Sequence, residues 1–219
     1  MDKRSEFCFG QTQILYRWGK ILDGCEWFIL RNLGVIMDSV FNMESHISEY
    51  VNRATSNWET LEPSAPLLGY WHCCTMDPLL SGLPDKTLLR LKLVQNTAAR
   101  IVSLCGKQHH ITPILKQLHW LPVALRIEFK ILLLTYKILN GTAPVYLCEL
   151  LQPYVPCRSL RSTSQSLLVI PKSRTVSYGD RAFSIVAPRM WNNLPEHIRN
   201  SSTVSGFKTA LKTYMFDKF

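Results

Sequence analysis

The sequence predicts a mainly α fold: a compact helical C-terminal domain with one small β-hairpin, preceded by a poorly patterned α+β segment. Three observations lead there. Apolar residues recur at spacings of three and four from Leu88 to Cys105, the period of a helix with one buried face. Residues 123–140 are apolar around almost the whole helical circumference, which marks a helix at the centre of a core. Between residues 83 and 150, proline and glycine stand at the starts and ends of these patterns, where helices tolerate them. Apolar residues make up 47% of the 219, enough to bury a core and to exclude a wholly disordered chain.

Residues 1–50 form a first zone of mixed charge. Trp27-Phe28-Ile29-Leu30 and Leu33-Gly34-Val35-Ile36 read as two short strands around a turn at Arg31-Asn32, and a helix starts within Ser45 to Arg53. Residues 51–82 keep neither a helical nor a strand period and hold Trp58, Pro63, Pro66, Trp71 and Pro78. They read as an irregular linker or damaged junction.

Residues 83–219 form the helical domain. Pro84-Asp85 opens its first helix, and Gly106 stands where a C-terminal cap belongs. Thr112 reads as the N-cap of a short helix with Pro113 at its first position, and Leu121-Pro122 ends it. The helix over 123–140 follows, closed by Gly141; another short one runs from Ala143-Pro144 to Leu151. Cys157 to Gln165 is a polar loop. Leu167 to Ile170 reads as a strand that pairs with Thr175 to Tyr178, giving the small hairpin. Ala182 onward reads as a short helix stopped by Pro188. Ser202 or Thr203 caps the last helix, with Val204, Phe207, Leu211 and Tyr214 inward and Lys208 and Lys212 outward. The expected core includes Leu91, Val94, Ile101, Ile127, Ile131, Leu134, Ile138, Phe183, Trp191 and Phe207.

Charge separates the two halves. Residues 1–110 carry 11 basic and 11 acidic residues; residues 111–219 carry 14 and 5, so the whole net charge of +9 lies in the second half. Between Gln152 and Pro195 stand Arg158, Arg161, Lys172, Arg174, Arg181 and Arg189, against Asp180 alone. Arginine offers a fork of donors that matches phosphate oxygens, so these six are the candidate nucleic-acid-binding residues. Tyr154, Tyr178, Phe183 and Trp191 are interleaved with them, and aromatic faces stack on unpaired bases. Solvation of an ordinary domain by a basic face is the competing reading of the arginines. For Trp191 the expectation is burial in the core.

The chemistry the sequence excludes is broad. It has no G-x-S-x-G, H-E-x-x-H, phosphate-binding G-x-x-x-x-G-K or G-x-G-x-x-G, and no two carboxylates are adjacent. His109, His110 and His119 lie near one another in sequence; His110-Ile111-Thr112-Pro113 reads as a helix-entry turn with an exposed imidazole rather than as part of a catalytic group. Seven cysteines without a C-x-x-C pair read as reduced thiols, and His72-Cys73-Cys74 lacks the second ligand pair of a zinc site. No metal or cofactor is expected. No apolar stretch has the length of a membrane span, and the charged N-terminus does not read as a secretory signal. The expected location is intracellular, nuclear or cytoplasmic.

A series of blocks then stands in one order: Leu91-Lys92-Leu93-Val94-Gln95-Asn96-Thr97-Ala98-Ala99-Arg100, His110-Ile111-Thr112-Pro113, Leu118-His119-Trp120-Leu121-Pro122-Val123, Tyr136-Lys137-Ile138-Leu139-Asn140-Gly141-Thr142-Ala143-Pro144, Tyr178-Gly179-Asp180-Arg181-Ala182-Phe183-Ser184 and Ala187-Pro188-Arg189-Met190-Trp191-Asn192-Asn193-Leu194-Pro195. In this order they resemble the C-terminal region of the reverse-transcriptase polyprotein of LINE-type, non-LTR (jockey-like) retrotransposons, over about residues 80–216. Arg31-Asn32-Leu33-Gly34-Val35-Ile36-Met37-Asp38 and His46-Ile47-Ser48 resemble the segment after the polymerase palm of that family. Residues 48–79 depart from the longer basic connection the family would carry there, as a deletion, altered splice or shifted frame would produce. The family's two-metal chemistry needs adjacent aspartates, which this chain lacks, and nothing resembles the family's endonuclease. The resemblance therefore implies a catalytically inactive, retrotransposon-derived fragment, not an enzyme, whose partner is RNA or single-stranded DNA rather than a small-molecule substrate or a membrane. A protein-interaction or structural module, or a translated relic without function, is the alternative.

Overall fold

The structure is a computed structural model that describes residues 8–9, 12–13, 30–32, 35–37, 43–56, 77–156, 166–173, 175 and 179–219. The chain divides into two compact units, Met1–Tyr50 and Val51–Phe219. The first contains two short antiparallel pairs, β1 (Cys8–Phe9) with β2 (Thr12–Gln13) and β3 (Leu30–Asn32) with β4 (Val35–Met37). Leu30 faces Met37, Arg31 faces Ile36 and Asn32 faces Val35. Arg31 and Asn32 thus lie in a strand, not in the turn expected there. Helix α1 (Glu44–Ser56) begins where a helix was expected, and its Ile47 is 1% exposed. Trp58, Pro63, Pro66, Trp71 and the Cys73-Cys74 pair lie outside the described residues.

The second unit is mainly helical, as the periodicity predicts. A 3-10 turn (Asp77–Leu80) leads to α2 (Asp85–Val102), α3 (Ile111–Gln117), α4 (Val123–Leu139), α5 (Val145–Cys148), a second 3-10 turn (Gly179–Arg181), α6 (Phe183–Asn192), α7 (Glu196–Arg199) and α8 (Val204–Asp217). Helix α4 is the axis of the unit: the first 3-10 turn, α2, α5, α6 and α8 all pack on it. Its Val123, Ile127, Ile131, Leu132, Thr135, Tyr136 and Ile138 are buried. Tyr136 stacks on Phe207 of α8 at 4.2 Å between ring centroids, and Trp191 of α6 lies 5.9 Å from Phe207. Trp191 is a core residue, as expected, and its indole N–H donates to the Ser166 carbonyl at 2.9 Å. The Tyr136 hydroxyl donates to the Ser201 carbonyl at 2.7 Å.

The join between α2 and α4 rests on one amide. Gln95 is 1% exposed. Its Nε2 donates to the Leu121 carbonyl at 2.7 Å, and its Oε1 accepts from the Val123 amide at 3.1 Å. Pro122 opens α4 and has no side chain able to cap it. The first orphan amide of that helix is therefore satisfied from a neighbouring helix.

Three successive helices end in one way. After α2, Leu104 N–H reaches the Ile101 carbonyl and Cys105 N–H the Arg100 carbonyl; after α3, His119 reaches Lys116 and Trp120 reaches Leu115; after α4, Gly141 reaches Ile138 and Thr142 reaches Lys137. Each is a Schellman cap with a left-handed residue at its apex: Leu104 at φ 52°, His119 at 53° and Gly141 at 66°. Gly141 was expected. Gly106 is not the cap of α2, because the helix has already turned at Leu104.

Other boundaries also move. The N-cap position of α3 is His110, so Thr112 and Pro113 sit inside its first turn, where a missing N–H breaks no helical bond. The helix after Pro144 stops at Cys148, short of Leu151. Helix α6 continues through Pro188 instead of stopping there. The proline removes one backbone bond, but Ile185, Val186, Ala187 and Trp191 around it are buried, and their burial holds the helix together. Thr203 caps α8 as expected, accepting from the Gly206 amide at 3.1 Å. In that helix Phe207, Leu211 and Met215 are the buried stripe. Ile101 is 38% exposed and Leu134 half-buried; each falls roughly 80° from the centre of its helix's buried arc at about 100° per residue. Phe183, in the first turn of α6, is half-buried too.

Among the described residues the small hairpin expected over 167–178 is not seen, and Val176, Ser177 and Tyr178 of its second strand lie outside them. Leu168 bridges Pro153 instead, with Tyr154 N–H donating to Leu167 and Val169 N–H to Gln152. On the other edge, the Asn192 side chain takes both backbone groups of Leu168, each at 2.9 Å. Both edges of the run are occupied. Thr175 meanwhile spends its backbone locally: its N–H meets the Ser173 hydroxyl, and its carbonyl accepts from Ser173 Oγ and the Asp180 amide.

Replacing Gln95 with Leu should lower unfolding stability by about 3 kcal/mol, because two buried backbone groups lose their partners at once; urea unfolding of the whole chain measures this. Leu104→Gly should raise stability by about 0.5–1 kcal/mol, since glycine enters the left-handed apex without the Cβ penalty. A lower melting temperature for the glycine variant would contradict the cap assignment.

Candidate nucleic-acid interface

The six basic residues singled out from the sequence meet different fates. Arg158, Arg161 and Arg174 lie outside the described residues. Lys172 is exposed. Arg189, on α6, is 54% exposed and stands 3.9 Å from the Asp180 carboxylate. Arg181 ends the second 3-10 turn and is half-buried. Its Nε donates to the Ser81 carbonyl at 3.1 Å.

Arg181 is therefore partly a structural residue. Gly82 has φ +68°, and a Cβ there would approach Arg181 Cγ to 2.6 Å. The glycine lets the arginine stem lie across the backbone that leads into α2. This packing brings Arg181 and Arg189 together with Asp180, Ser81 and Pro84 around a cleft of about 550 Å³. Two guanidinium groups against one carboxylate leave the cleft net basic. Of the interleaved aromatics, Tyr154 is 44% exposed, Phe183 is half-buried and Trp191 is core; Tyr178 lies outside the described residues.

A second basic surface was not legible as a site. Lys208 and Lys212 of α8 face Lys116 of α3 and His119, its cap, across a groove of about 630 Å³. Phe129 of α4 and Phe216 of α8 also line it, with Asp217 at its end. Lys212 Nζ is 5.9 Å from the Phe216 ring centre, and Lys116 Nζ is 5.7 Å from that of Phe219. The His119 ring meets Phe216 edge to face at 6.2 Å. The sequence signal was there: Lys208, Lys212 and Phe216 stand four residues apart, on one helical face. What the sequence does not display is that Lys116 and His119, at the end of α3, and Phe129 of α4 come to the same face.

Glu128, beside Phe129 on α4, is the one described group with a clear shift. Burial pushes its carboxyl above the ordinary value of 4.5, and the charge of Lys218 opposes this. Among the described residues no three His, Cys, Asp or Glu side chains could together hold a metal ion. Cys105 and Cys148 are free and partly buried, and His72-Cys73-Cys74 lies outside the described residues. No described helix is long and apolar enough to cross a membrane. No family model matches the chain, and no curated protein or solved structure is similar to it.

The shift at Glu128 has a sign. A carboxyl whose folded pKa is raised costs stability once pH climbs from the ordinary carboxylate range through that raised value. Glu128→Gln should thus raise the melting temperature at pH 7, with the gain disappearing as pH falls below about 4. Melting curves of both proteins from pH 3.5 to 7.5 check this; a gain that persists at low pH would assign it to something other than ionisation.

Proposed function

We propose that this chain is a retrotransposon-derived domain without catalysis of its own, binding RNA or single-stranded DNA through backbone phosphates, independent of sequence. The observation that carries the reading is that the entire net charge of +9 falls in residues 111–219, the part whose ordered blocks resemble the C-terminal region of LINE-type reverse transcriptases. Lys172 and Arg189 present their charge to solvent, which suits contact with a polyanion. Arg158, Arg161, Arg174 and Arg181 complete the proposed surface. A protein that grips phosphates in this way acts where nucleic acid is, in the nucleus or cytoplasm. Lacking adjacent aspartates, it contributes contact and positioning rather than nucleotidyl transfer.

One observation favours a second reading, a protein-interaction module. Between Val145 and Val155 the chain exposes Val145 at 78%, Tyr146 at 67% and Val155 at 81%. Exposed large apolar side chains in one short segment suit a protein partner.

Titrating the full chain with RNA and single-stranded DNA oligonucleotides at several salt concentrations separates the two. On the first reading log K falls linearly with log salt, and changing Arg158, Arg161 and Arg174 together to Glu weakens binding at least tenfold at low salt while the thermal melt stays cooperative. Absence of binding, or binding indifferent to salt, would reject it and leave the interaction module.

A further inference from the structure

We propose that the groove between α3, α4 and α8, lined by none of the six basic residues above, is a second binding site and that its ligand is an unpaired nucleic-acid strand. The inference rests on the nucleic-acid reading above and adds a place and a ligand form to it. Lys116, Lys208 and Lys212 set three ammonium groups around one groove, against the single carboxylate of Asp217. Lys208 and Lys212 lie one helical turn apart, about 6 Å along the axis of α8, so they meet successive points of a strand rather than one. Charge of this kind suits phosphates of any nucleic acid.

The rings decide the ligand form. Phe129 and Phe216 line the same groove. Bases in a duplex are stacked on each other, so a protein surface meets their phosphates and edges. An unpaired base offers its π-face to an aromatic side chain, worth about 1–3 kcal/mol per base. The groove, of about 630 Å³, is open to solvent, which suits a strand that runs along it rather than a ligand enclosed in it. The left-handed cap of α3 carries His119, whose ring meets Phe216 edge to face in the groove wall. Lysines take the phosphates, and the phenylalanines take a base.

The test uses the full chain, a fluorescent 12-nucleotide oligouridylate and a duplex of equal length, with an acidic peptide as competitor. Replacing Lys116, Lys208 and Lys212 together by Gln should flatten the slope of log K against log salt by about 2 for the single strand, at about 0.7 per phosphate contact. Phe216→Leu, which keeps apolar bulk, should weaken the single strand about tenfold and leave the duplex unchanged. The triple lysine variant changes two exposed side chains and the half-buried Lys212, keeps their apolar stems in part, and decides the matter alone should Phe216→Leu fail to fold. If the wild type binds the strand and the lysine variant binds equally well with the same slope, this site is overturned while the arginine surface stands. Equal loss for strand and duplex in Phe216→Leu overturns the role of the rings. Displacement by the acidic peptide at a matched charge concentration points to a protein ligand and overturns the proposal. A wild type that binds neither nucleic acid overturns this proposal and the reading on which it rests.

Discussion

The buried amide of Gln95 sets the relation between the first helix of the helical unit and its axis. Helix α4 begins at a proline, which fixes the backbone but leaves the amides of the first turn without a capping side chain. Gln95 satisfies the first of these and takes the carbonyl on the other side of Pro122. A side chain with both a donor and an acceptor is needed, and it has to be buried for the bonds to escape competition with water. With α4 so placed, its buried arc receives α6 and α8, and the Tyr136–Phe207–Trp191 ring cluster closes the far side. The groove with Lys116 and Lys208 is a by-product of the same geometry, since α3 and α8 reach it only because α4 stands between α2 and α8.

The two basic surfaces are built on different principles. Around Arg181 the cation is partly consumed by the fold: its Nε holds the Ser81 carbonyl, and its stem fills the space a side chain at residue 82 would need. Arg189 has a carboxylate close by. At the α3–α8 groove Lys116 and Lys212 sit over aromatic rings instead, at distances where the ring quadrupole attracts them. Such lysines keep their donors available, because a ring occupies no hydrogen bond. Density of arginine along the chain is therefore a poor guide to density of accessible charge.

Much of the helical unit was legible because its signals are local. The apolar circumference of α4, Pro84 before α2, Gly141 after α4 and Thr203 before α8 each act within one turn of where they stand. The errors came where a distant group overrode a local preference. Leu167 to Ile170 does have the composition of a strand, and the partners the described residues give it are residues 152–154 and the side chain of Asn192. Pro188 would end an isolated helix, yet core packing carries α6 past it. Leu104 and His119 occupy apices that local rules assign to glycine. The candidate site divides the same way: the basic half was visible from charge alone, whereas the groove needs three segments to be folded together before it exists.

The sealing of Leu168 has a consequence for how the protein behaves in a crowded solution. Leu167-Leu168-Val169-Ile170 is a short, uncharged, β-prone tetrapeptide, the kind of run that recruits strands from other chains when an edge lies open. Here residues 152–154 cover one edge and a single carboxamide caps the other. Asn192 thus occupies, with one side chain, the kind of edge that many proteins protect with a flanking charge or a proline.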